Sequence, residues 1–192
     1  TVAGHSIWAF RMSYAGELGW EFHMPHAACL DVYIALWTAG EPHKIADYGS
    51  FAMNVMRMEK GFKGAGELTN EVTLAEADVL RFARTDKDYL GRDKTLNTDL
   101  PWICAYLEIE PDGKSDGHGG EAVMQGGQII GSTASMAFGP TVGKTLAFAY
   151  IKPEAAKPGT ELEVVIHGVA RNVRVLGEPA YDPQSLKPRM DA

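Results

Sequence analysis

Arg11-Met-Ser-Tyr14-Ala-Gly16-Glu17-Leu-Gly19-Trp20-Glu21 sets a basic residue, aromatic side chains, two glycines and two carboxylates within eleven positions. A strand-like run, His5-Ser-Ile-Trp-Ala-Phe10, precedes it, and a short apolar turn leads from it into a helix. Glycines on either side of Glu17 let the backbone bend sharply, which can aim that carboxylate into a cleft. A buried carboxylate is costly unless it accepts good hydrogen bonds, and a heterocycle offering two parallel N–H donors would supply them. The plainer alternative is a strand-turn-strand with Glu17 in water, since glycine turns beside acids are common. The residues by themselves leave both open.

The 192-residue chain can bury a real core, as one large or two small domains. Its 45% hydrophobic and 22% charged content is that of an ordinary globular protein. The net charge of −7 argues against a nucleic-acid or anionic-membrane partner, each of which favours a basic patch. Cys29 and Cys104 lie far apart with no Cys-x-x-Cys, which suggests two reduced thiols and a cytoplasmic location. No apolar run approaches the ~20 residues that span a bilayer, and no secretory signal opens the chain. Without an initiator Met, and entering a strand almost at once, the sequence is expected to be a fragment, with part of any active site outside it.

From Pro25 to Gly40 the apolar positions Ala28, Leu30, Val32, Tyr33, Leu36 and Trp37 recur at helical spacing, and Gly40 ends the run. A second helix is expected over Ser50 to Lys60, with Ser50 as its cap. Being apolar around most of its circumference, it should be buried, and Arg57 within it then needs partners. Glu59, Glu17 or an anionic ligand could serve, while Glu59 and Lys60 could equally be surface charges. Gly61 to Gly66 is a glycine-rich loop. Thr73-Leu-Ala-Glu76 has the pattern of a helix start, and Gly91-Arg-Asp-Lys-Thr-Leu that of one more short helix.

Near residues 98–101 the texture changes. Short β-rich runs follow at Ile103–Ile109, Glu121–Met124, Gln128–Ala134, Leu146–Ile151, Leu162–His167 and Ala170–Val175, divided by turns at Pro111-Asp-Gly, Gly126-Gly and His167-Gly. The spacing predicts a small antiparallel barrel or sandwich, so the chain reads as α+β in two parts, residues 1–97 and 98–192, with a Pro-rich surface tail from Asp182.

Two apparent nucleotide motifs do not hold. Gly139-Pro-Thr-Val-Gly143-Lys144-Thr145 has three residues between its glycines where a phosphate-binding loop needs four, and a strand follows where that loop needs a helix. Gly61-Phe-Lys-Gly64-Ala-Gly66 lacks the third glycine and the preceding strand of a dinucleotide fingerprint. His118, in a glycine loop beside Asp116 and Glu121, could join a metal site, but a solvated loop is the simpler expectation. His23 and His26 flank Pro25, which disfavours a helical metal pair, and no metal site is expected.

In the order of its motifs, the chain resembles the glycine-cleavage T-protein (aminomethyltransferase) superfamily. The Arg11–Glu21 stretch is similar to that family's Arg-x-(Ser/Gly)-Tyr-x-Gly-Glu-x-Gly-aromatic-Glu signature. Met56-Arg57-Met58-Glu59-Lys60-Gly61-Phe62 resembles its Leu-Arg-Leu-Glu-x-Gly segment, and Asp88-Tyr-Leu-Gly91-Arg-Asp its Asp-Phe-Ile-Gly-(Arg/Lys) segment. Gly131-Ser-Thr-Ala-Ser135, Val142-Gly-Lys144, Pro158-Gly-Thr160 and Glu178-Pro-Ala-Tyr181-Asp-Pro183 then follow in the order of its C-terminal barrel. The wording around Arg57 and the Tyr-Asp-Pro ending look closest to the folate-binding portion of FAD-dependent dimethylglycine and sarcosine dehydrogenases.

The resemblance implies the second half of a T-protein-like folate-binding domain followed by a small antiparallel β-barrel. It implies that an N-methylated amine is oxidised at FAD in a separate N-terminal region of the same polypeptide. Tetrahydrofolate then takes up the one-carbon unit, giving 5,10-methylenetetrahydrofolate. Glu17 matches the glutamate that binds the pterin ring, Tyr14 would line the same pocket, and Arg57 matches an arginine near it. Phe10 and Trp20 would supply aromatic walls. The family's catalytic aspartate lies upstream of these residues, so no catalytic residue is expected here. Where the family carries an aromatic before the glycine matching Gly66 and an acid two after it, this chain has Ala65 and Leu68, leaving Glu67 as the acid nearest that place. Two other functions remain: part of a stand-alone aminomethyltransferase or demethylase without flavin, or a T-protein-like binding module with no catalysis.

Overall fold

The computed structural model describes residues 1–111 and 117–190; Asp112 and Gly113 of the Pro111 turn, and Asp116 beside His118, lie outside the described residues. Six strands form a closed antiparallel barrel: β3 (Ile103–Ile109), β4 (Ala122–Gln125), β5 (Gln128–Gly139), β6 (Lys144–Ile151), β7 (Glu161–Ile166) and β8 (Val169–Leu176), in the order β3-β6-β5-β4-β7-β8, with β3 pairing β8 to close the ring. They follow β1 (Trp8–Phe10), β2 (Glu21–His23), α1 (Cys29–Gly40), α2 (Ser50–Glu59) and α3 (Arg92–Thr95). The expected α+β architecture with a small antiparallel barrel is the observed one.

The barrel follows from period-two patterning. Along β7, Leu162, Val164 and Ile166 point inward while Glu161 and Glu163 face water; along β8, Val173 and Val175 point inward while Asn172 and Arg174 face out. Closure leaves no sheet edge to template aggregation. Strand β6 breaks the alternation because both its faces are covered. Ala147, Ala149 and Ile151 fill the barrel, whereas Leu146 and Phe148 pack outside it with Met58 of α2.

Strand β5 runs to Gly139, five residues past the expected end. Its pairing with β6 slips between Thr133, opposite Ala149, and Ser135, opposite Phe148. Ala134 is the extra residue of a β-bulge, which a hydrophobicity pattern does not reveal.

In the first part, β1 and β2 pair antiparallel, Trp8 opposite His23 and Phe10 opposite Glu21, and the glycine stretch 11–20 joins them. Helix α1 ends at Gly40, where a side chain would strike Ile45. Of its expected inward positions only Ala28, in the turn before it, and Val32 are buried; Leu30 and Tyr33 are exposed.

Three expectations need correcting. Ser50 is the first helical residue of α2 and Gly49 holds the cap position, with no side-chain cap bond. Helix α2 is not buried along its length: Phe51, at its start, is 89% exposed, and burial concentrates at Arg57, Met58, Glu59 and Lys60. Charged groups go under because each has a partner on the barrel, the following loop or the tail, while the apolar first turn is left exposed. Thr73 and Glu76 do form a capping box: the Thr73 N–H and hydroxyl donate to the Glu76 carboxylate, and the Glu76 N–H donates to the Thr73 hydroxyl at 3.1 Å. Only turns follow, so the box caps no helix.

Candidate functional site

Helix α2 stops at Gly61, whose φ of +70° few other residues adopt. The Gly61 N–H donates to the Met58 carbonyl and the Phe62 N–H to the Arg57 carbonyl, a Schellman ending that sends the chain into the 61–68 loop. The four residues before Gly61 pin this end of the helix to the barrel and tail. Met58 sits in the cluster with Leu146 and Phe148. Glu59 accepts the backbone N–H groups of Thr141 (2.7 Å) and Val142 (3.2 Å). The P-loop-like stretch thus cradles an anion after all, but an internal one. Lys60, 1% exposed, donates to the Asp182 carboxylate at 2.9 Å. Neither Glu59 nor Lys60 is a surface charge.

Arg57 is the fourth. Its Nε donates to Asn54 (3.0 Å), one Nη1 hydrogen to the Phe62 carbonyl (3.1 Å), the other to Glu67 (2.8 Å), and Nη2 to Asn54 (2.8 Å) and Ser135 (2.9 Å). All five guanidinium N–H groups are engaged within the chain. The ion-pair partner is Glu67, fully buried, and not Glu59 or Glu17. A ligand could take a hydrogen bond from Arg57 only by displacing one of these partners. Glu67 is equally committed. One of its oxygens accepts from Arg57 and from the Gly64 N–H (2.6 Å), and the other from the Ser135 hydroxyl. It does not stand in for the acid that Leu68 replaces.

Tyr14 rests on the loop: its hydroxyl donates to the Lys63 carbonyl at 2.8 Å and its ring stacks on Phe62 at 6.1 Å. Burial raises the Tyr14 phenol above its ordinary value, Arg57 opposes that, and Glu67 adds to it. Gly64 must lack a side chain, since a Cβ there would lie 2.7 Å from the Tyr14 hydroxyl. Beside this loop is a cavity of about 840 Å³ with Tyr14, Phe62, Lys63 and Leu68 on one wall and Cys104 and Phe148 on the barrel wall. Its size suits a small organic ligand. Burial pushes the Cys104 thiol up to about 12, which rules it out as a thiolate nucleophile at neutral pH.

Glu17 is half-buried in its glycine turn. Gly16, at φ +79°, packs on the Lys60 stem, so the turn is tied to the same buried end of α2. The Tyr181 hydroxyl donates to Glu17 Oε1, and the adjacent carboxylate pushes that phenol up to about 12. Among the described residues Oε2 accepts no hydrogen bond, so half of the carboxylate is free for a donor. The structure therefore puts Tyr14 on the cavity wall, whereas Glu17, held on Tyr181, and Arg57, behind the loop, are not among the residues that line it. Phe10 and Trp20 are exposed.

Sequence reasoning missed Tyr181 and Ser135 as members of this assembly. Both lie in segments of the family resemblance, and their partners are far away in the chain. His118 sits in a loop organised by Glu121, which accepts the N–H groups of His118 (2.7 Å) and Gly119 (3.0 Å) and the Thr133 hydroxyl. Among the described residues no His/Cys/Asp/Glu cluster could hold a metal, and no helix is long and apolar enough to cross a membrane.

This fold is that of a glycine-cleavage aminomethyltransferase: the T protein from Bartonella henselae superposes with a TM-score of 0.82 at 19% identity, over 91% of this chain and 50% of that one. The GCVT N-terminal domain family matches residues 1–87, and the glycine cleavage T-protein C-terminal barrel domain family matches residues 104–182. The chain belongs to the T-protein superfamily. Human mitochondrial dimethylglycine dehydrogenase is 29% identical over 200 residues, 98% of this chain and 22% of that protein. Mouse mitochondrial sarcosine dehydrogenase is 35% identical over 173 residues, 87% of this chain and 18% of that protein. An aminomethyltransferase of Saccharopolyspora erythraea is 32% identical over 185 residues, 94% of this chain and 50% of that protein. The chain thus spans half the length of that aminomethyltransferase and less than a quarter of either dehydrogenase.

Proposed function

We propose that this chain is the folate-binding C-terminal portion of a flavin-dependent dimethylglycine- or sarcosine-type dehydrogenase. In that role it presents tetrahydrofolate to the one-carbon unit released from an oxidised N-methyl group. The observation that carries this is Glu17: a carboxylate fixed on one oxygen by Tyr181, in the same glycine turn as Tyr14, whose side chain lines an aromatic-walled cavity in a T-protein fold.

Tetrahydrofolate, when bound, supplies the nitrogens that accept the one-carbon unit. The chain's own residues hold and orient it. Glu17 accepts pterin N–H groups in a charge-assisted contact, Tyr14 and Phe62 wall the ring, and Arg57 with Glu67 shapes the loop that carries them. The residues that would complete the pocket, a catalytic aspartate among them, belong to a preceding region of the polypeptide. So does the flavin. The Gly61–Gly66 loop ends a helix, and its Gly61, Phe62 and Gly64 N–H groups are spent on that helix and on Glu67. The exposed apolar groups of β1 and α1 fit a surface covered by that preceding region. The two free cysteines fit a reducing, cytoplasm-like compartment.

The test is a tetrahydrofolate titration of the intact protein. Glu17→Ala removes a charge-assisted contact of about 1.5–3 kcal/mol, so affinity should fall about 10- to 150-fold. Equal affinity of variant and wild type would show that Glu17 does not hold the pterin. The isolated 192-residue chain should bind weakly or not at all, because a partial site recovers too little of the cost of immobilising the ligand.

The match over half of an aminomethyltransferase favours a second reading, in which the same folate site serves a protein without flavin. Length of the native polypeptide and flavin absorbance separate the two. If wild type binds no folate, a docking module remains, consistent with Ala65 and Leu68.

A further inference from the structure

Ser135 belongs to the barrel by sequence but serves the loop. In unbroken register a residue two past Thr133 would share its face, looking into the barrel with Ala149. The bulge at Ala134 reverses that. Ser135 instead pairs with Phe148, whose side chain is on the outer side with Met58. The hydroxyl then meets two buried charges at once, accepting from Arg57 at 2.9 Å and donating to Glu67.

Glu67 passes this contact into the loop, where its other oxygen holds the Gly64 N–H at 2.6 Å. Lys63, one residue earlier, carries the carbonyl on which the Tyr14 hydroxyl rests. The loop is anchored next to this contact as well: Gly66 lies over Ser135 and the Ala134 carbonyl, which a Cβ there would meet at van der Waals distance, and the Tyr150 hydroxyl donates to the Glu67 carbonyl at 2.6 Å. A chain of short contacts therefore runs from a barrel bulge to the aromatic wall of the cavity.

We propose that Ser135 is a positioning residue of the ligand pocket: a barrel hydroxyl that, through Glu67, sets where the 61–68 loop and Tyr14 stand. For its ligand this rests on the folate reading; for the loop it does not.

The experiment compares Ser135→Ala and Ser135→Thr with wild type in the intact protein, by amide hydrogen exchange and by tetrahydrofolate titration and kinetics. In Ser135→Ala, exchange at Gly64 and Leu68 should rise about tenfold while Leu107 and Ile166 in the barrel keep wild-type protection, which also shows that the variant folds. The dissociation constant and KM for tetrahydrofolate should rise about 5- to 20-fold, a range set by the roughly 1–2 kcal/mol worth of one positioning hydrogen bond, with kcat unchanged. Ser135→Thr, which keeps the hydroxyl, should restore both readouts. Loop exchange that stays at wild-type rates in Ser135→Ala overturns the proposal, and so does faster loop exchange with unaltered folate affinity. If wild type itself binds no tetrahydrofolate, the folate reading fails, and loop exchange alone decides the role of Ser135.

Discussion

In the barrel, Leu107, Ile109, Val123 and Val164 are completely buried; in the first hundred residues Trp8, Leu30, Phe51, Phe82 and Leu90 stand mostly open to solvent. The two regions have similar apolar content to spend, and only one has closed a surface around it. A sheet that returns to its first strand needs no outside partner, whereas a two-stranded ribbon with an apolar helix beside it cannot cover itself. The two are joined at the polar end of α2, where Arg57, Glu59 and Lys60 find partners on the barrel and tail. The seam between the two regions thus adds buried charges with their hydrogen-bond partners to the apolar contact of Met58 with Leu146 and Phe148.

The largest effect should come from breaking that seam. Arg57→Ala leaves the Glu67 carboxylate buried without its cation and should destabilise the protein by about 3–5 kcal/mol in denaturant unfolding. Arg57→Met with Glu67→Leu removes both charges and should recover most of it; failure to recover would mean that shape, not charge, holds the seam.

Next comes the contrast between the regions. Leu107→Ala should cost about 2–5 kcal/mol, while Leu30→Ala in the 192-residue chain should stay within about 0.5 kcal/mol. A Leu30→Ala cost in the intact protein that approaches that of Leu107→Ala would show that a further region covers the α1 face.

The smallest expected effect is a dependence on acid. Glu121 and Asp182 are both held below their ordinary carboxyl values. Burial opposes this, but the Thr133 hydroxyl and loop N–H groups outweigh it at Glu121, and Lys60 with two backbone N–H groups does so at Asp182. With folded values depressed, the stability they contribute is complete above the ordinary carboxyl range. It is lost as pH falls through the depressed values, where the folded state must also take up the protons. Thermal melts taken from neutral pH downward should show a decline that Thr133→Val reduces; an identical decline in that variant would remove Glu121 from the account.

What the sequence makes legible divides along the same seam. Strands β7 and β8 are readable because Leu162, Val164, Val173 and Val175 alternate with polar residues, a local signal. The bulge at Ala134 has none, and so the outward turn of Ser135 and the full length of β5 stay hidden. Helix α2 misleads for a related reason: Phe51 and Ala52 look like core, yet packing is decided by what lies opposite. The glycine turn announces Glu17 as a candidate, but its partner Tyr181 is 164 positions away, and the Ser135 that steadies Arg57 is 78 positions away. Arg57 could be paired with an acid in principle; only the Schellman turn at Gly61, which folds the loop back, makes that acid Glu67.

The bond between Tyr181 and Glu17 has a consequence for synthesis. Tyr181 emerges only after β8, and β8 is the strand that closes the ring onto β3. A ribosome-bound chain therefore carries Glu17 without its phenolic anchor until β8 and the segment after it have left the exit tunnel, so the glycine turn and the barrel are completed together.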